Sequence, residues 1–190
     1  KPGIGGPKDN PISYLSPTTE DILDWNIEYE YSYSLILGTP TEIRDWVYAQ
    51  GKTPKLPRWE FRSDRQHWIY LGATDAGWPI EGELKISGKA PGFQLQGPLT
   101  FWRAEEAPYL YIKAAFSTPT TGQVTWERDG VPSDPAQVAV FEPLTDGKFH
   151  TCKVKLAGQP GYEGIGRRLR INLSFQEDAE VRVKAIWLGD

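Results

Sequence analysis

Residues 136–188 constrain this chain most. Val138-Val140, Phe149-Thr151-Lys153-Lys155, Leu169-Ile171-Leu173 and Val181-Val183-Ile186 form successive alternating runs. A strand sends neighbouring side chains to opposite faces, so alternation with period two buries one set and leaves the other in water. Asp146-Gly147 separates two of the runs and Gly158 to Gly166 the next two, which puts turn chemistry where strands must reverse. A chain that closes in this way closes in a β-sheet.

The same texture begins at Arg58. Trp59-Glu60-Phe61, 83–87, 92–98, 109–116 and 122–128 read as strands, with a turn around Asp75-Ala76-Gly77-Trp78. Strands this short, with turns about every eight to twelve residues, predict a sandwich or a barrel. Upstream, residues 1–20 form an irregular lead-in, 16–23 carries a helix-start pattern, and Ile27 to Leu35 alternates strictly as a strand should. Thr39, Pro40 and Glu42 are spaced as a capping box, followed by Ile43, Trp46 and Val47 on one helical face. Gly51 ends that helix and a proline-containing connector follows, so the expected division is a lead-in over 1–57 and a β-sandwich over 58–190.

Aromatic residues make up 13% of the 190 residues, including eight Trp and nine Tyr. Such rings serve β-sheet cores and sugar-stacking platforms alike, so the excess points both ways. The net charge is −4 with both signs mixed, and the chain carries no basic block and no run of 18 apolar residues. Neither a nucleic acid nor a membrane is an expected partner. The chain begins at Lys1 and contains no methionine, so a piece of a longer or processed protein is expected. The single cysteine, Cys152, lies in an alternating run and reads as an inert core position.

Carboxylates are plentiful, but none is arranged to aim a pair at one bond, and no Ser-His-Asp or Gly-x-Ser-x-Gly pattern occurs. Two isolated histidines, His67 and His150, with one cysteine do not make a zinc site. No catalytic residue is expected. A pyranose needs a flat ring for its C–H face and planar polar partners for its hydroxyls. Trp68 with His67, Trp102 with Arg103, and Trp126 with Arg128 offer such pairings, with Tyr109 and Tyr162 behind them. Trp59, Trp78 and Trp187, which open and close the sandwich, are expected in the core.

The phrases Asp-Gly-Lys-Phe-His-Thr-Cys-Lys-Val-Lys-Leu (146–156), Gly-Tyr-Glu-Gly (161–164), Leu-Arg-Ile (169–171) and Val-Lys-Ala-Ile-Trp-Leu (183–188) carry a resemblance. Over roughly 58–190 the chain resembles bacterial carbohydrate-binding modules attached to secreted glycoside hydrolases, polysaccharide lyases and sulfatases. The resemblance implies an all-β, jelly-roll-like (galactose-binding-like) sandwich, here with an N-terminal extension holding a strand and a short helix. It also implies a structural calcium ion, for which Glu60 and Asp190 are the candidate ligands. The implied partners are a polysaccharide or oligosaccharide and a catalytic domain of the same parent chain, in a secreted, periplasmic or cell-surface location. Three functions follow in order: a non-catalytic carbohydrate-binding module, a structural accessory sandwich that binds no sugar, and a small glycosidase or lyase.

Overall fold

The structure, a computed structural model, describes Ile22, residues 33–50 and residues 56–190. Contacts divide the chain into two compact units, residues 1–50 and 51–190. In the first, α1 spans Pro40–Gln50. Its start is the expected capping box: Thr39 N–H donates to Glu42 Oε2 at 2.8 Å, and Glu42 N–H donates to Thr39 Oγ1 at 3.4 Å. The Thr39 N–H bond, with a second from the Thr39 hydroxyl to Glu42 Oε2 at 2.8 Å, holds the Glu42 carboxyl below its ordinary pKa. The helix expected at 16–23 and most of the strand expected over 27–35 lie outside the described residues, apart from Ile22 and Tyr33–Leu35; the latter three are not in a strand.

The second unit contains β1 (Arg58–Glu60), β2 (Ile69–Leu71), β3 (Ala73–Asp75), β4 (Leu84–Gly88), β5 (Gly92–Gln96) and β6 (Trp102–Arg103). These are followed by β7 (Tyr109–Phe116), β8 (Thr120–Arg128), β9 (Val138–Phe141), β10 (His150–Lys155), β11 (Ile165–Phe175) and β12 (Ala179–Gly189). One sheet runs β10-β7-β12-β4-β3 with β1 also on β12, and the other runs β2-β5-β11-β8-β9 with β6 also on β11. Neighbours pair antiparallel, and the chain crosses repeatedly from sheet to sheet in the manner of a jelly roll. Leu84, Ile86, Leu110, Ile112, Val181 and Val183 from the first sheet meet Phe93, Leu95, Val124, Leu169, Ile171 and Leu173 from the second in one core. The predicted β-sandwich is the observed fold.

The 161–164 phrase is a structural corner. Tyr162 is buried, packs edge-on against Trp126 with centroids 5.0 Å apart, accepts from Trp102 Nε1 at 3.1 Å and donates to the Ala107 carbonyl at 2.7 Å. Trp126 Nε1 in turn donates to the Gly161 carbonyl at 3.1 Å. Burial pushes the Tyr162 hydroxyl up to about 12, against the smaller opposing effect of the Trp102 bond. Trp102 reaches this corner because its indole lies over Gly166, where an added Cβ would stand 2.2 Å from Trp102 Cε2. Tyr162→Phe strands a buried donor and a buried carbonyl, so it should cost about 1–3 kcal/mol. Urea denaturation of the two proteins measures that loss.

Candidate functional site

The rings expected to form a sugar platform do not form one. Trp68, Trp102 and Trp126 are 0%, 5% and 2% exposed, so none offers a face to a ligand. Trp68 is wedged against Trp59 and Phe61 with centroids 5.2 and 6.4 Å away, and the other two rings belong to the Tyr162 corner, which removes Tyr162 as well. Arg103 faces Glu105 and Glu106, Arg128 pairs with Glu163 at 3.2 Å, and His67 is an exposed loop residue with φ of +61°. His150 pairs with Asp146 at 2.9 Å. Cys152 is half-buried against the core, and burial pushes its thiol up.

The calcium pair fails on geometry. Register places Glu60 opposite Ala185, so Asp190 is five residues further along β12, roughly 16 Å at strand rise. Glu60 is already held by Arg58 at 2.7 Å and Arg62 at 2.6 Å, which keep its carboxyl below the ordinary range. The two residues do not fit the implied ion, and among the described residues no three His, Cys, Asp or Glu gather as a metal site.

Two rings expected in the core lie outside it. Trp78 stays 43% exposed, with one face on the Arg65 guanidinium 5.0 Å away; Arg65 itself is buried and paired with Asp75. Trp187 stands on the outer face of the first sheet, stacked on Tyr111 with centroids 5.1 Å apart and planes 6° apart. Arg58 covers the Trp187 ring at 4.9 Å, and Lys153 lies 5.4 Å from the Tyr111 ring and 3.8 Å from Tyr109. Each stacked ring therefore has a ring on one side and a cation on the other. This ladder is satisfied within itself and presents edges, which is poor geometry for stacking a sugar.

The outer face of the second sheet is different. Antiparallel partners point to the same side of a sheet, so register alone aligns side chains into rows. One row reads Leu71, Gln94, Asn172, Gln123, Val140 across β2, β5, β11, β8 and β9. The next reads Ile69, Gln96, Arg170, Thr125, Val138. Between aliphatic ends, the first row has three planar amides and the second an amide, a guanidinium and a hydroxyl. Four strand spacings make each roughly 19 Å long. Gln94 Nε2 donates to Asn172 Oδ1 at 2.6 Å and Arg170 Nε to Gln96 Oε1 at 2.9 Å, so the floor is held in place before any ligand arrives.

The face continues at both ends of β11. Beyond Asn172 and Gln123, Ser174 pairs with Thr121, and both line a cleft of about 540 Å³ with Thr120, Glu142, Thr145 and Gln176. In the other direction Glu127, 9% exposed, accepts from Arg170 and, at 3.1 Å, from Arg167. Thr100 N–H donates to the Arg167 carbonyl, which brings Phe101, 59% exposed, to the arginine end. Such a surface suits a polyhydroxyl chain: fixed donors and acceptors on the floor, and apolar contacts at the margins.

The chain matches no family model and no curated protein. Among solved structures it is similar to a low-affinity xylan-binding module from Roseburia intestinalis, with 11% identity, 71% of this chain and 95% of that one covered, and a TM-score of 0.47. It is also similar to a module from Clostridium stercorarium solved with cellobiose, at 15% identity, 71% and 94% coverage and a TM-score of 0.43. A third is a glycoside hydrolase family 43 arabinoxylan arabinofuranohydrolase from Bacillus subtilis, at 12% identity and TM-score 0.48, where the match covers 71% of this chain and 27% of the enzyme.

Proposed function

We propose that this chain is a non-catalytic carbohydrate-binding module whose glycan lies across the outer face of the second sheet. The observation that carries the reading is the pair of registered rows, in which Gln94, Asn172, Gln123, Arg170 and Thr125 form a hydrogen-bonding floor with aliphatic ends, while Gln96, in the second row, is buried and holds Arg170. Long amide side chains at the centre of a sheet lose rotamer freedom without burying apolar area, so they are costly as mere surface and effective as a preorganised ligand floor. The xylan and cellobiose named for the similar modules agree with a β-glycan as ligand. A module of this kind acts outside the cell by holding a catalytic partner near its polymer, which raises the effective concentration without new chemistry.

The test is affinity electrophoresis of the chain through a panel of soluble polysaccharides, with dissociation constants from calorimetry on those that retard it. Gln94→Ala and Asn172→Ala should each weaken binding about three- to tenfold, the worth of one or two hydrogen bonds. Each should also cost about 0.5–1.5 kcal/mol of stability, the worth of the half-buried bond between the two side chains, which leaves the chain folded. If no polysaccharide retards the folded chain, the sugar-binding reading fails.

A further inference from the structure

A charge that is rarely buried and a ring that is rarely left wet meet on the flank of the sandwich. Arg65 is 4% exposed, while Trp78, which lies against it, stays 43% exposed. A buried charge and an exposed large ring both depart from ordinary burial, so their contact asks for a cause. The guanidinium covers one face of the indole, which leaves the exposed area on the opposite face and the edges. Arg65 is in turn paired with Asp75 and lies 5.8 Å from the Tyr70 ring, so the cation that holds the indole is itself fixed. The turn that places it is strained: Gln66 and His67 have φ of +48° and +61°, a region that non-glycine residues rarely adopt. Gln66 N–H donates to Asp64 Oδ1 at 2.8 Å and Trp68 N–H to the Arg65 carbonyl at 2.9 Å, which hold that turn closed.

Register places this platform away from the amide floor. Tyr70 pairs with Leu95, a core residue, whereas Ile69 and Leu71 pair with Gln96 and Gln94 in the two outer rows. Tyr70, and Arg65 against it, therefore lie on the inner side of β2. Trp78 follows β3, which Gly72 alone joins to β2, so it stands where the edges of the two sheets meet. We propose that Trp78 is a second sugar-binding site, separate from the floor, on whose open indole face one pyranose ring stacks. The inference rests on the reading of the chain as a glycan-binding module. The C–H face of a pyranose needs a flat ring, and an indole pinned from behind meets it with little further loss of freedom. Lys85 brings a donor for a sugar hydroxyl beside it: its Cδ would stand 2.7 Å from a Cβ on Gly77, the residue before Trp78. Two sites on one module hold a polymer by avidity, so even a weak single-ring site adds to retention.

The experiment is an NMR titration of the full chain with xylohexaose and with cellohexaose, repeated on Gln94→Ala, Trp78→Ala and Trp78→Tyr. At least one of the sugars should shift the Trp78 indole N–H signal, and equally so in Gln94→Ala. Trp78→Ala should keep the ligand shifts of the Gln94 and Asn172 amides and lose about tenfold in retardation by soluble xylan or hydroxyethyl cellulose. Trp78→Tyr keeps a ring over Arg65 and should stay within about threefold of wild type, which separates loss of stacking from damage to the turn beneath. Shifts at the floor amides with the Trp78 signal unmoved would overturn the second site and leave the first reading intact. A Trp78 shift that disappears in Gln94→Ala would make the two one site and overturn the proposal likewise. No shift with either sugar and no retardation by either polymer would sink both readings.

Discussion

Trp68→Ala is expected to destabilise the fold by about 3–5 kcal/mol, the range for deleting a large buried ring. In a chain of this size that corresponds to a melting temperature lower by about 10–15 °C. The ring is fully buried and meets Trp59 and Phe61 edge-on, and its six-membered ring lies 3.1 Å from where a Cβ on Gly97 would stand. Collapse around the hole is limited because these neighbours are also held by β1 and by the Gly97–Leu169 backbone bond. Trp68→Phe should cost much less, since it keeps most of the ring and deletes an indole N–H that finds no acceptor among the described residues. Calorimetric melting of the two variants distinguishes a core ring from a ligand platform, for which the loss would fall on binding and leave stability near wild type.

Glu127→Ala should be the second large effect, about 2–3 kcal/mol, below the 3–5 kcal/mol of a fully buried pair because its arginine partners reach solvent. Burial alone would raise the Glu127 pKa; attraction and hydrogen bonds from Arg170, with Arg168 and Arg167, outweigh it and hold the carboxyl below its ordinary value. A carboxyl with a depressed folded-state pKa stabilises the fold above its unfolded-state value, about 4.3, and loses that stabilisation as pH falls through the folded-state value. Wild type should therefore lose stability below about pH 4 more steeply than Glu127→Gln, in which this group no longer titrates. Urea midpoints from pH 7 down to pH 3 measure the difference. Parallel curves would mean that the arginine cluster does not depend on this carboxylate.

Much of this was legible in the chain, and the misses have physical causes. The alternating runs foretold the sandwich, and the capping box at Thr39–Glu42 was readable because its partners are three residues apart. The phase of β8 was also readable: Trp126 shares its side with Val124, while Gln123, Thr125 and Glu127 share the other. Phe93-Gln94-Leu95-Gln96 and Leu169-Arg170-Ile171-Asn172-Leu173 likewise print the polar row as plainly as the core, although they contribute no aromatic ring to it. Trp187 was not readable. It shares odd numbering with the buried Val181 and Val183, but the register shifts between Val183 and Ala185, so the phase flips and Trp187 faces outward. Trp102 was equally hidden, because its burial depends on Gly166 and Tyr162, some sixty positions away.

The most direct measurement is an NMR titration of the full chain with an oligosaccharide of a retained glycan, following side-chain N–H signals. Bound ligand should shift the amide groups of Gln94, Gln96, Gln123 and Asn172 and the Nε signals of Arg167 and Arg170, and leave the Trp187 indole signal in place. A shift at Trp187 and its neighbours on the first sheet, with the four amides unmoved, would contradict the account and move the site to the opposite face.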